Sequence, residues 1–551
     1  MSIKKADKLR KESQYKEALK LYIEHTNDHP KDAAGWKYAG ICLLKMENYE
    51  GAIKYFDGAS KLDDSDTETW FQKALCYQTI GAYDKAIESY NNVLELDTNN
   101  ITARNNKGIC HAMTGDHEAA VEAYDEILKL DNQNYIAWFN KGFSASKLHR
   151  YRDAVYSYDK AIEIEQQDPK VWYNRGLVLN TLEDYEEALK SFNSALQLSP
   201  QDHMALLNKG KSLIALKRYK DSLDCFNQAL EILPNNASIL LNKGKALAAL
   251  EQMQEALACF DHALQVSPEH HLLWYERGVV LAQMKKHKEA VESFDNALQC
   301  SSNQHSKSWL ERGRSLVMLK QYEEAMKSFD TSLETGTGDT AIWFEKASLF
   351  ALTKQFNEAI GAFDTYMQSV PDDPEALMRK TYCLQALDKF DEAVKGYEFA
   401  INTIKKELPQ DMGSDPPEEI LDKIKKYVHC LTQNALCLNR LKDHAKALES
   451  IEQSISILLN SSSVEDPSIW IIKGDSLHGM AKYEEAIKCF NLALMLDPRN
   501  IDALFKKGMA FFDAGKPAEA IVYFNQVLAA VPDHTQATDM SIKCTEINNQ
   551  P

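Results

Sequence analysis

Gly210-Lys211-Ser212 is the pattern on which a phosphate-cradling loop ends. In such a loop backbone N–H groups and the lysine hold the phosphates while the hydroxyl meets magnesium. The loop also needs a glycine five residues before its Gly-Lys pair, and that place is taken by Ala205. The stretch LLNKGKSLIAL (206–216) returns at 240–250 as LLNKGKALAAL, so it belongs to a repeat and no nucleotide is expected. A second arrangement invites a metal reading: Cys42, Cys76 and Cys110 stand at one constant spacing, and Cys225 and Cys259 keep the same one. Structural or catalytic zinc calls for close ligand pairs such as C-x-x-C or H-E-x-x-H, and neither occurs. The thiols are therefore expected to be buried and structural. His270-His271 and the acidic stretch at 62–66 fall in turns between repeats, and the latter lacks the calcium-loop pattern. No catalytic residue, cofactor or metal is expected, and no enzymatic activity.

The whole chain supports this. Its 551 residues hold 81 acidic against 63 basic side chains, a formal charge of -18. That balance argues against a nucleic-acid footprint and against a polybasic membrane contact. The first residues, MSIKKADKLRKESQYKEAL, carry no apolar core for a secretory leader, and no apolar run is long enough to span a membrane. Eleven cysteines, an odd number, do not suggest a secreted disulfide framework, so a reduced, cytoplasmic setting is expected.

The repeat that explains the glycine and the cysteines runs through nearly the whole chain. Trp36, Trp70, Trp138 and Trp172 fall on one register of constant period, with Arg104 in the gap between the second and the third. Four residues after each comes a small residue (Gly40, Ala74, Gly108, Gly142, Gly176), twelve later an alanine, and four later still an aromatic. Pro200, Pro234, Pro268, Pro371, Pro498 and Pro532 close their repeats. Within 171–202, Trp172, Gly176 and Leu179 share one helical face and Ala188, Phe192, Ala195 and Leu198 another, with a break at Glu183-Asp184. This reads as two amphipathic helices joined by a tight turn. A glycine in mid-helix costs about 1 kcal/mol relative to alanine, so its recurrence points to close backbone approach between the paired helices.

WYNRGLVL followed by ALKSFNSALQLSP resembles the tetratricopeptide repeat. The resemblance implies an all-α, right-handed superhelical solenoid of about fifteen helix-turn-helix repeats. The expected divisions are a truncated repeat at 1–32, a regular array at 33–304 and a second array at 305–409 opening on a one-residue insertion. An irregular loop and extended helix at 410–427, repeats at 428–534 and a capping helix and tail at 535–551 complete the chain. The stretch 407–420 reads as an exposed loop and 461–468 as a shorter insertion.

Each repeat is numbered from three residues before its Trp-type position. In the family, positions 2, 5, 6, 9, 12 and 13 of the first helix line a concave groove that binds extended peptides. Position 6 here is Asn106, Asn140, Asn174, Asn208 and Asn242 in consecutive repeats, then Glu276, Glu311 and Glu345. An amide offers donors and an acceptor to a peptide backbone, and the ladder resembles that of the repeat arm of O-linked N-acetylglucosamine transferases, without their catalytic domain. Bonds between repeats are the other reading. Three carboxylates would favour a basic ligand segment, but position 9 adds Lys211, Lys245 and Arg314, and Glu311 can pair with Arg314. Position 5 is apolar (Phe139, Tyr173, Tyr275 and Phe344 among others) and fits either packing or peptide stacking. The two-carboxylate clamp that captures chaperone tails finds no matching triplet. The expected function is a scaffold or adaptor that binds other proteins through extended segments, with open solenoid ends that allow self-association. A regulatory or architectural subunit is the alternative.

Overall fold

The computed structural model describes residues 2–336, 340–409, 417–461 and 466–548. It contains 31 helices and, among the described residues, no strand. The chain divides into two compact units, Met1–Val280 and Leu281–Pro551. In each, antiparallel helix pairs follow one another and each pair packs on the next.

One repeat of the first unit shows how residues dictate the shape. Asp168 caps the first helix by accepting a bond from Lys170 N, and Pro169 opens it where no N–H is needed. The helix Pro169–Thr181 ends with Glu183 in the left-handed region (φ 60). Asp184 N then donates to Leu179 O at 2.9 Å and Glu183 N to Asn180 O at 3.1 Å. These two bonds close the helix end in the Schellman manner. Asp184 also accepts from Glu187 N and so starts the second helix, Tyr185–Leu198. A left-handed residue stands at this position 15 throughout: Gly81, Gly115 and Gly515 in three repeats, residues with side chains such as His149, Lys217 and Glu251 elsewhere.

The glycine at position 8 answers to a ring. A Cβ on Gly176 would lie 2.7 Å from Cε1 of Phe192, and one on Gly40 or Gly108 would meet Phe56 or Tyr124 in the same way. The expected backbone-to-backbone approach is thus corrected. The first helix gives up a side chain so that the fully buried aromatic at position 24 can lie flat against it. The tryptophan at position 4 also ties the turn between repeats, since Trp172 Nε1 donates to Gln166 O at 3.0 Å. Trp70, Trp138 and Trp274 do likewise, each to the carbonyl six residues upstream. Arg104 makes the same bond with its guanidinium, to Thr98 O at 2.8 Å, which explains how it stands in for tryptophan.

The irregularities are local. The extra residue before Ser306 is absorbed by a left-handed pair, Ser302 (φ 52) and Asn303 (φ 63), so that Trp309 still finds its carbonyl on Asn303 at 3.1 Å. In the second unit three consecutive helices are lengthened: Phe390–Glu407 (18 residues), Glu418–Arg440 (23) and His444–Ser461 (18). The middle one begins three residues inside the stretch expected to be loop; 410–416, 462–465 and 549–551 lie outside the described residues. The last helix, Thr535–Asn548, covers the final repeat with Ala537 and Cys544 packed beside Phe524.

The left-handed position supplies a test. Replacing Glu183 by glycine is expected to raise the thermal midpoint and replacing Gly115 by alanine to lower it, each by the equivalent of about 1 kcal/mol. Circular-dichroism melts of the two variants check this.

Candidate functional site

The face formed by positions 5, 6 and 9 is built from bonds that cross from one repeat to the next. Asn140 Nδ2 donates to Asn105 Oδ1 at 3.2 Å, Asn208 Nδ2 to the Tyr173 hydroxyl at 3.2 Å, and Asn106 Nδ2 to the Tyr90 hydroxyl at 3.2 Å. Within their own helices Asn174, Asn208 and Asn242 also give an N–H to the carbonyls of Lys170, Met204 and Ser238. All five amides are half-buried. Their nitrogens are therefore engaged, while no described residue donates to their Oδ1 atoms. The ladder can tie repeats together and still present carbonyl oxygens.

The charged part is paired. Lys245 meets Glu276 at 2.8 Å. Arg314 holds Glu311 at 2.6 Å and Glu345 at 2.9 Å, so these carboxylates come with their own cation. In each inter-repeat case a position 9 residue reaches position 6 of the following repeat. The same link recurs with reversed charge as Asp475–Lys506 at 2.7 Å, and with an uncharged acceptor as Arg379 Nη1 to Ser348 Oγ at 2.9 Å. At Lys211 the facing residue is Asn242 and no described side chain pairs with the lysine. Burial, with repulsion from Lys245, lowers its pKa.

The aromatic residues at position 5 are packing elements first. Phe139 lies 6.1 Å from Tyr158, Tyr173 6.1 Å from Phe192, and Phe344 5.9 Å from Phe363, each the position 24 ring of its own repeat. Tyr275 is half-buried. These rings nevertheless keep an edge on the face that carries the amides.

A second ladder has no counterpart among the sequence expectations. Position 7 bases bind the acid at position 25 of the preceding repeat: Lys73–Asp57 at 2.7 Å, Lys141–Asp125 at 2.6 Å, Arg175–Asp159 at 2.6 Å, Arg277–Asp261 at 2.7 Å and Arg312–Asp295 at 2.6 Å. Lys346–Asp330, Lys380–Asp364 and Lys473–Glu452 continue it. The bases also lie over the position 4 tryptophans, Lys73 at 4.6 Å from Trp70 and Lys141 at 5.2 Å from Trp138. With their cations half-shielded, such pairs are worth about 0.5–1 kcal/mol each. The signal was legible as opposite charges at a fixed separation, as between Asp159 and Arg175, lengthened by one across the insertion between Asp295 and Arg312. Asn91, Asn193, Asn227 and Asn491 replace the acid before Lys107, Lys209, Lys243 and Lys507, and there the rung is missing.

The cysteines are apolar fillers. Burial pushes the thiols of Cys42 and Cys110 up to about 11 and that of Cys76 to about 12. Such thiols stay protonated and are poor ligands and nucleophiles. Cys259 and Cys300 alone are half-buried. Among the described residues there is no group of three His, Cys, Asp or Glu side chains that could hold a metal ion, and no helix is long and apolar enough to cross a membrane.

Models of the tetratricopeptide repeat match residues 3–67, 66–133, 169–202, 203–236, 241–305 and 473–535, together more than half of the chain. No curated protein matches it. One similar solved structure is YrrB, described as a TPR protein with an unusual peptide-binding site. It is 25% identical over 34% of this chain and 96% of its own, with a TM-score of 0.30. The C-terminal part of a TPR repeat-containing protein of Cytophaga hutchinsonii is 19% identical over 42% of this chain and 95% of its own, with a TM-score of 0.38. A complex of Naa15 and Naa10 bound to HypK is 13% identical over 99% of this chain and 96% of its own, with a TM-score of 0.34. These superpositions are too loose to transfer a binding site.

Two measurements follow from the geometry. Changing Asn193 to aspartate should create the missing rung with Lys209, raising stability by up to about 0.5 kcal/mol at low salt and by little in molar salt. Denaturation midpoints at the two ionic strengths read it. In native protein Cys259 and Cys300 should be alkylated by iodoacetamide well before Cys42, Cys76 and Cys110, whose modification waits for unfolding; peptide mass spectrometry gives the order.

Proposed function

The chain belongs to the tetratricopeptide-repeat proteins, an architecture of protein-interaction scaffolds, and on that premise we propose that it captures extended peptide segments on its first-helix face. The observation that carries this reading is the row of Asn106, Asn140, Asn174, Asn208 and Asn242. Each gives at least one N–H to the fold, and among the described residues no donor reaches their Oδ1 atoms, which recur at one-repeat intervals. Acceptors in such a row suit the N–H groups of an extended backbone, whose own hydrogen bonds are otherwise made to water. In the family this face is the concave wall of a superhelix, where a ligand meets a surface formed in advance and less ordering is required on binding.

Composition along the face supplies selectivity. The repeats starting at 101 to 237 offer amides, with the uncompensated Lys211 among them. At Glu276, Glu311 and Glu345 the carboxylates are bound by Lys245 and Arg314. A ligand must compete with those cations, so selection for basic segments there is weaker than a bare acidic wall would give.

Changing Asn140, Asn174, Asn208 and Asn242 together to alanine, with helicity and monodispersity confirmed, should remove the specific partners that the intact chain retains in an affinity capture from native lysate. An unchanged partner list would assign the amides to packing alone. It would favour instead an architectural or regulatory subunit that binds through other surfaces.

A further inference from the structure

In the second unit, the lengthened helix Glu418–Arg440 borders a cavity on the outward face of the repeats. Its N-terminal turns run ahead of the repeat register and stand beside the helix Pro374–Ala386. From there Lys426 reaches Glu375 at 3.6 Å, while His429, within the register, forms one wall of a cavity of about 500 Å³. The other walls are Leu352, Phe356, Met378 and Tyr382, with Ser348, Lys354, Glu375 and Arg379 at the rim. Leu352, Met378, Arg379, Tyr382 and His429 occupy positions 13, 5, 6, 9 and 2 of their repeats, so the cavity opens on the face assigned above to ligands.

Two properties define what would enter. The floor is apolar yet open: Leu352 and Tyr382 are each 55% exposed, and Tyr382 meets Phe356 edge-on at 6.3 Å. The rim carries an oriented cation. Arg379 donates Nε to Glu375 Oε1 at 2.8 Å and Nη1 to Ser348 Oγ at 2.9 Å, and its guanidinium lies 5.0 Å from the Phe344 ring. A guanidinium has five N–H groups, and these bonds use two. The second oxygen of Glu375 lies 3.6 Å from Lys426 Nζ. Lys426 also binds Asp422 at 2.9 Å, and Lys354 at the rim has no described acid. The rim is thus cationic in a chain whose net charge is -18. His429 is kept below its ordinary pKa mainly by burial, against the pull of Glu375, and adds an uncharged ring near neutral pH.

We propose that this cavity docks a peptide segment in which an aliphatic or aromatic side chain stands directly beside a carboxylate. The side chain fills the space among Leu352, Met378 and Tyr382, and the carboxylate takes the remaining N–H groups of Arg379. The volume exceeds one side chain and leaves room for the adjoining backbone. An Arg–carboxylate bond of this kind is charge-assisted and directional. The inference rests on the reading of the first-helix face as a ligand surface but concerns a separate place on it. Because the cavity opens on a face along which an extended segment would continue past it, the carboxylate is that of an acidic residue within the segment.

The test uses the full chain and labelled synthetic peptides read by fluorescence polarisation. One peptide has Leu-Glu in a Gly/Ser background with an amidated end; another ends in leucine with a free carboxylate. Controls replace leucine by serine, glutamate by lysine, and the free end by an amide. The Leu-Glu peptide is expected to bind; binding by the free-ended peptide alone overturns the assignment to an acidic residue. Each control of the Leu-Glu peptide, and each of the variants Arg379→Gln and Leu352→Asp, should weaken its binding by about tenfold or more. Leu352 is exposed, so its variant keeps the test valid should Arg379→Gln disturb the helix. The quadruple asparagine variant should bind these peptides unchanged. Absence of binding by the Leu-Glu peptide, or binding that survives both cavity variants, overturns the proposal. If the cavity is silent while the asparagine variant still loses its lysate partners, the broader reading stands and this one falls.

Discussion

The aromatic ring at position 24 can lie against the first helix because position 8 carries no side chain, or at most a methyl group. Phe192 over Gly176 and Tyr124 over Gly108 show the contact in its simplest form. The ring sets the distance between the two helices of a pair, and the distance decides which residues of the next pair can reach across. Alanine at position 20 and the capping Asp or Asn before most first helices then act on a geometry already determined. A pair so formed buries one side only. The remaining apolar surface is covered by the following pair, which is why the arrangement is stable as an array and not as a single hairpin.

On this frame the first helix is divided by duty. Position 4 fastens the turn behind it through an indole N–H. Position 7 binds an acid of the preceding repeat. Position 5 packs on the aromatic of its own repeat, and positions 6 and 9 join neighbours while facing outward. The duties fall on different sides of one helix because consecutive residues are about 100° apart. Residues at positions 6 and 9 can therefore change without disturbing the ring contact. Asparagine, glutamate and Arg379 occupy position 6 in turn, on helices of nearly equal length.

The fold was legible because its signal is repeated: one glycine in a helix means little, and the same glycine at the same place in repeat after repeat means a great deal. What repetition does not specify is the partner of a residue. Gly176 pointed to a close approach, but that Phe192 makes the approach is a fact of three dimensions. The bond from Arg104 to Thr98 O was hidden because arginine is not a usual substitute for tryptophan, although both place an N–H at similar reach. The charges of the second ladder were in view as Asp125 and Lys141, yet helix periodicity draws attention to neighbours three or four residues apart, and these lie on different helices. For the outward face, sequence named Glu311 and Arg314 as able to pair; that Arg314 also holds Glu345 of the next repeat required the structure. The cavity beside His429 is lined from ordinary repeat positions, and which of their side chains enclose a space is again a fact of three dimensions.

The four places where asparagine interrupts the ion-pair ladder, before Lys107, Lys209, Lys243 and Lys507, have a mechanical meaning. Two of them fall at successive junctions. An array whose junctions are joined unequally does not yield uniformly when pulled or heated; it parts first along its weakest seams. The rung is absent at Lys209 and Lys243, beside Asn208 and Asn242, and present at Lys141 and Arg175, beside Asn140 and Asn174. Where the rung is absent a junction rests on apolar packing and amide bonds, which salt does not screen, so rising ionic strength loosens the laddered junctions and leaves these as they were.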